Sequence, residues 1–118
     1  MHVSFVQEGK TLKAKIEGEL DMLVADELRK KIDAEINRTA VRELIFDLSL
    51  VGFIDSSGLG VMVGRYNRLQ AFGGTVSVCG AGERIYHILE LSGITRIMQV
   101  RKLHDGKTDI IDIMGGIK

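Results

Sequence analysis

The alternation of apolar and polar residues divides the chain into short strands and amphipathic helices. Thr11 to Glu17 sets Leu12, Ala14 and Ile16 against Lys13, Lys15 and Glu17, the period of two of a half-buried strand. His2 to Gln7 is a second extended segment, and Glu8-Gly9-Lys10 supplies the glycine of a hairpin turn between them. After Gly18-Glu19-Leu20-Asp21 the period changes. Ala25, Leu28, Ile32 and Ile36 recur every three or four residues among charged neighbours, which predicts a helix over residues 22 to 38 with Asp21 as its N-cap. Glu43 to Leu48 is short and apolar, as a central strand should be. Ser57 to Phe72 reads as a second helix, stopped by Gly73-Gly74. Thr75 to Cys79 is a strand, Glu83 to Leu91 a third helix, Ile97 to Val100 a last strand and Lys107 to Met114 a final helix. The expected class is α/β, in the order β-β-α-β-α-β-α-β-α. A mixed sheet of four to five strands and about four helices follows, because helical crossovers join parallel strands and the opening hairpin is antiparallel.

Composition narrows the function. A chain of 118 residues suits one domain over residues 1 to 118, with no proline-rich or low-complexity spacer inside it. Sixteen basic residues balance sixteen acidic ones, so the basic surplus of a general nucleic-acid binder is missing. No stretch nears the ~20 apolar residues of a membrane span, and MHVSFVQEGK has none of the regions of a secretion signal. Cys79 is the single cysteine; it forms no internal disulfide and belongs to no Cys-x-x-Cys pair. These features point to a cytoplasmic protein without a metal or cofactor of its own, and away from nucleic acid and membrane partners.

The segment Phe53-Ile54-Asp55-Ser56-Ser57-Gly58-Leu59-Gly60 carries the most information. An apolar stretch ends and Asp-Ser-Ser-Gly turns into a helix, the kind of strand-to-helix junction where α/β folds place their sites. A serine there sits at the positive end of a helix, which also accommodates a phosphate. Two readings stand: one serine is a simple N-cap worth ~1 kcal/mol, or one is a modification site. Gly58, Gly60 and Gly64 fall in the first two turns of the helix, where each glycine costs ~0.8–1 kcal/mol relative to alanine. The spacing puts Leu59, Val63, Tyr66 and Leu69 on a core face. Ser57, Gly60 or Val61, Gly64 and Arg68 form an opposite stripe with little bulk. That stripe admits either a partner protein or a neighbouring element of the same fold.

Gly18-Glu19-Leu20-Asp21, Phe53 to Val61 and Gly64-Arg65-Tyr66, with Phe72-Gly73-Gly74, Val78-Cys79 and Leu91-Ser92-Gly93-Ile94, closely resemble the anti-sigma-factor antagonists, which are STAS domains. The blocks and their spacing cover nearly the whole chain. Gly64-Arg65-Tyr66 and the Cys79 position look most like the sporulation branch. The resemblance implies a partner switch and no enzymatic activity of the chain itself. The unphosphorylated antagonist binds an anti-sigma factor and frees its sigma factor. The anti-sigma factor is also a serine kinase, which phosphorylates the position of Ser56, and a PP2C-type phosphatase restores the hydroxyl. The partner surface is then expected at Asp21, Met22, Leu23, Asp55, Ser57, Gly58, Gly60, Val61, Gly64 and Arg68. Asp55 is assigned an orienting or capping role. Sporulation members often carry polar or histidine residues where this chain has Met22-Leu23. Those two either lie exposed at the interface or start the first helix and point into the core.

Other chemistries fit poorly. A nucleophile elbow needs Gly-x-Ser-x-Gly, but Ile54 stands two before Ser56, and His2, His87 and His104 have no triad context. Gly58-x-Gly60 with Gly64 matches no dinucleotide fingerprint, and no phosphate loop is present. His87 reads as a surface or packing residue and Cys79 as a small buried apolar one. Asp105, Asp109 and Asp112 read as a solvated helix face. The competing readings share the fold: a stress-response antagonist acting on a different sigma factor, or a STAS scaffold or sensor module.

Overall fold

The computed structural model describes residues 1–103. Strands β1 (His2–Glu8) and β2 (Thr11–Leu20) form the opening hairpin, followed by α1 (Ala25–Arg38), β3 (Glu43–Ile54), α2 (Ser56–Gln70), β4 (Thr75–Ala81) and α3 (Glu83–Leu91). A single 3-10 turn (Ile94–Arg96) leads into β5 (Gln99–Lys102). The sheet runs β1-β2-β3-β4-β5, with β1 antiparallel to β2 and the other neighbours parallel. Strand order equals chain order, so right-handed crossovers place α1, α2 and α3 on one face. The burial pattern agrees. Leu12, Ala14, Ile16, Leu44, Phe46, Leu48, Val76 and Val78 are buried, whereas Lys13, Lys15, Glu43, Ile45, Ser77 and Cys79 on the alternate positions are not. Asp47 breaks that alternation. It lies on the face opposite the three helices yet is only 8% exposed, accepting the Ser49 N–H at 3.0 Å with Lys13 Nζ 3.7 Å away.

The expected order of elements through β5 is present, and the boundaries differ in instructive ways. β3 continues six residues beyond the expected Leu48, because Leu50, Val51, Phe53 and Ile54 pair with Glu17, Gly18, Glu19 and Leu20. Register shifts between Lys15 and Glu17 and between Gly18 and Glu19 break the period of two, so the pattern conceals the strand there. The first helix begins at Ala25 rather than residue 22. Its N-cap position is Val24, which gives no side-chain cap; Asp21 instead holds the turn before it, accepting the Leu23 N–H at 3.0 Å. The second helix is Ser56–Gln70, and Phe72 lies beyond it, 72% exposed. The last strand lies two residues later than expected, displaced by the 3-10 turn. The expected helix over Lys107 to Met114, with Asp105, Asp109, Asp112 and His104, lies outside the described residues.

Helix α1 buries Leu28, Ile32 and Ile36 against the sheet, as its spacing predicts. Helix α2 is rotated relative to expectation. Gly58, Val61, Met62 and Leu69 are buried, and Leu59, Val63 and Tyr66 pack only partly against the core. The buried arc is a proper i, i+3, i+4, i+11 stripe. It faces inward because Gly58, lacking a side chain, lets the helix start directly on β2.

Candidate functional site

β2 and β3 end side by side, with Leu20 paired to Ile54, and Asp55 N–H extends the contact by donating to the Leu20 carbonyl at 3.1 Å. The two loops leaving these strands are therefore neighbours at the carboxyl end of the parallel sheet, where α/β sheets form their sites. Asp55 is the N-cap of α2. Its Oδ1 accepts the N–H groups of Ser57 at 2.8 Å and Gly58 at 3.2 Å. The aspartate is the cap, so neither serine fills that role. Ser56 is the first helical residue and is exposed; Ser57 is half-buried.

The second oxygen of Asp55 faces the other loop. Met22 N–H donates to Asp55 Oδ2 at 3.1 Å. Met22 and Leu23 are 73% and 86% exposed, so they do not open the first helix into the core. Two large apolar side chains thus stand in water on the loop that Asp55 holds beside the start of α2. Between α1 and α2 runs a shallow groove of about 320 Å³ lined by Met22, Ala25, Asp26, Arg29, Ser57, Gly60 and Val61.

The glycines separate into two roles. A Cβ on Gly58 would lie 2.5 Å from the Leu20 carbonyl oxygen, 2.8 Å from Leu20 Cβ and 3.0 Å from Ile54 Cγ2. Gly58 is therefore a packing residue beneath the site and leaves the expected partner surface. A Cβ on Gly60 or Gly64 would meet nothing within 4 Å. Among the described residues no neighbour outside the helix itself requires those two to be glycine. Val61 also leaves the expected surface, being 5% exposed, because the rotation of α2 turns it inward.

Arg68 was expected to face a partner, but it braces α1 against α2. Its Nη1 lies 3.0 Å from Asp33 Oδ1, and Nη2 also bonds Asn37 Oδ1. Asp33 is the hub of this seam, with Arg65 Nε at 3.2 Å and Arg29 Nη1 at 3.8 Å. Burial lowers the Arg65 pKa from its ordinary value, Asp33 opposes that shift, and Arg29 and Arg68 add to it. The seam escaped the sequence reading because Arg29 and Asp33, four apart on α1, look like an ordinary surface pair. Phe53, 42% exposed at the end of β3, was likewise read only as part of the motif; exposure of that apolar residue depends on the second register shift.

Among the described residues no group of three His, Cys, Asp or Glu side chains is placed to hold a metal ion. None of their helices is long and apolar enough to cross a membrane. His2 on β1 and His87 on α3 are exposed, and neither donates to or accepts from the Ser56 turn in the hydrogen bonds described above. Cys79 is half-buried rather than buried, since it lies on the face of β4 opposite the three helices.

Comparison with known proteins agrees with the fold. The model of the STAS domain family matches residues 2–106. The anti-sigma F factor antagonist of Paenibacillus polymyxa is 35% identical over 86 residues, covering 73% of this chain and 74% of that protein. The anti-sigma-B factor antagonist of Staphylococcus aureus (strain NCTC 8325 / PS 47) is 26% identical over 102 residues, or 86% and 94% of the two chains. The solved structure of the antagonist SpoIIAA in its unphosphorylated form has the same fold, with a TM-score of 0.75, 24% identity and coverage of 99% and 100%. The phosphorylated form of the Bacillus protein superposes with a TM-score of 0.68 at 24% identity, over 96% and 97% of the chains. The chain belongs to the STAS domain family and, within it, to the anti-sigma-factor antagonists.

Proposed function

We propose that this protein binds an anti-sigma factor through the surface around Ser56 and is switched off by phosphorylation of that serine. The observation that carries the reading is the division of labour at the α2 N-terminus. Asp55 does the capping, which leaves the Ser56 hydroxyl exposed and free to accept a phosphoryl group. Exposed Asp21-turn residues Met22 and Leu23, with Ser57, Gly60 and Gly64, supply the rest of the contact. Gly58 and Val61 support it from below, and Arg68 fixes α1 to α2. The anti-sigma factor acts as the kinase, providing ATP and the general base. Ser56 Oγ attacks the γ-phosphorus, the bond to ADP breaks, and the hydroxyl proton passes to the kinase. A PP2C-type phosphatase reverses the state by hydrolysis, yielding inorganic phosphate and the free serine. The chain thus has no catalytic role of its own, and the cycle runs in the cytoplasm beside the transcription machinery.

The sign of the switch follows from charge. Phosphate adds ~1.5–2 negative charges to a surface that the partner must desolvate. A hundredfold loss of affinity requires only about 2.7 kcal/mol. A sporulation-type sigma factor is the preferred target, on the identity to the sigma F antagonist of P. polymyxa. The likeness to the S. aureus sigma-B antagonist, which spans 94% of that protein, supports a stress-response pathway as the second reading. The test is intact mass after incubation with ATP and an anti-sigma kinase. One added phosphate in wild type and none in Ser56→Ala supports the reading. Phosphate that survives Ser56→Ala but is lost in Ser57→Ala moves the site. No phosphate in any variant, with the kinase active on another antagonist, leaves a scaffold module.

A further inference from the structure

We propose that Asp55 is a positioning residue that couples the state of Ser56 to the presentation of Met22 and Leu23, an inference that rests on the phosphorylation reading above. One carboxylate holds two elements. Oδ1 takes the Ser57 and Gly58 N–H groups of α2, and Oδ2 takes the Met22 N–H of the β2–α1 loop. The other hydrogen bonds of the loop run within it or into α1: Leu23 N–H to Asp21 Oδ1, Val24 and Ala25 N–H to the Asp21 carbonyl, and Leu28 N–H to the Val24 carbonyl. The Met22 and Leu23 side chains are 73% and 86% exposed, so little packing orders them. Among the described residues, the Met22–Asp55 bond is the hydrogen bond that joins residues 22–24 of this loop to the α2 cap.

Phosphorylation acts on that tie. The dianion sits one residue from a carboxylate that already accepts three N–H groups, and like charges repel. Its oxygens also compete for the N–H groups at the α2 N-terminus, where anions are favoured. Repulsion and loss of its α2 partners together unseat the Asp55 carboxylate, and the Met22 N–H loses its acceptor with it. A partner then meets an apolar pair that must be ordered on binding, which weakens association in addition to direct repulsion.

Asp55→Asn and Asp55→Ser test this, because both residues are favoured N-caps and keep α2 capped. Asparagine turns an NH2 group toward the Met22 N–H, and serine is too short to reach it. Site-resolved amide hydrogen exchange by NMR on the free protein is the first readout. The Met22 amide is expected to exchange about tenfold faster in both variants, equivalent to ~1.4 kcal/mol, with Ser57 and Gly58 nearly unchanged. Phosphorylated wild type is expected to show the same acceleration at Met22. In kinase assays both variants are expected to raise KM for this protein by a larger factor than they lower kcat.

Unchanged exchange at Met22 in both variants overturns the proposal, as does unchanged exchange on phosphorylation. Equal loss of protection at Met22, Ser57 and Gly58 makes Asp55 a cap and nothing more, and also overturns it. If wild type accepts no phosphate, the Ser56 reading fails and the coupling fails with it. Exchange in the unphosphorylated variants still shows whether the clamp exists, so the two failures are distinguishable.

Discussion

Replacing Gly58 with alanine puts a methyl group where the structure has no room for one. The new Cβ falls 2.5 Å from the Leu20 carbonyl oxygen and 2.8 Å from Leu20 Cβ, with Ile54 Cγ2 at 3.0 Å. Two of these neighbours belong to the end of β2 rather than to the tip of a flexible side chain, so relief requires the α2 N-terminus to lift off the strand. Alanine gains ~1 kcal/mol in helix propensity, while overpacking of a tight core costs ~1–3 kcal/mol and occasionally more. With backbone as the obstacle the upper end applies, and the net is a loss of about 2 kcal/mol. Lifting α2 also stretches the Asp55 N–H contact to Leu20 and the Met22 bond, so binding to the anti-sigma factor falls as well. Gly60→Ala is the matched control. It sits two residues on, has open space around its Cβ and does not adopt a positive φ, so it gains about 0.5–1 kcal/mol of stability. Partner affinity is nonetheless expected to fall, as the added methyl meets the docked protein. Urea unfolding monitored by circular dichroism, with the slope of the transition checked for constancy, measures both. Gly58→Ala as stable as wild type, or Gly60→Ala destabilised as much as Gly58→Ala, would refute the division of the glycines.

Asp33→Ala leaves Arg29, Arg65 and Arg68 without their shared carboxylate. The site is partly exposed, so the cost is expected between that of surface and buried pairs, about 1–3 kcal/mol in urea; a change under ~0.5 kcal/mol would contradict the hub. Met22→Ser with Leu23→Ser should leave the thermal midpoint within a few degrees, since both side chains are exposed. The same pair should weaken anti-sigma-factor binding by more than tenfold in calorimetry, and unchanged affinity would remove these residues from the interface. Burial, and secondarily Asp47, hold the Cys79 thiol above its ordinary value of 9.0. Alkylation at pH 8 is therefore slower than for a free thiol, and Asp47→Asn should speed it. Because the folded pKa is the higher one, the associated stability is present below the ordinary thiol range and is lost as pH rises through the folded pKa.

Read on its own, the chain determines the succession of elements, the core face of α1, and the serine turn as the place to look. Each of these is a local property. Periodicity survives within α1, where Leu28, Ile32 and Ile36 are buried as spaced, and the Asp-Ser-Ser-Gly block marks a helix start through its own capping chemistry. Tertiary structure alone decided the rest. The full length of β3 depends on pairing across two register shifts with β2, which no single strand encodes. The face of α2 depends on one glycine meeting a carbonyl oxygen from β2, far away in sequence. Arg68 turned from partner residue to internal brace because its acceptors sit on α1. The Asp55–Met22 bond, which joins the apolar loop to the serine, exists because β2 and β3 end side by side. Local pattern reports what each segment prefers, whereas burial and long-range hydrogen bonds depend on which segments meet.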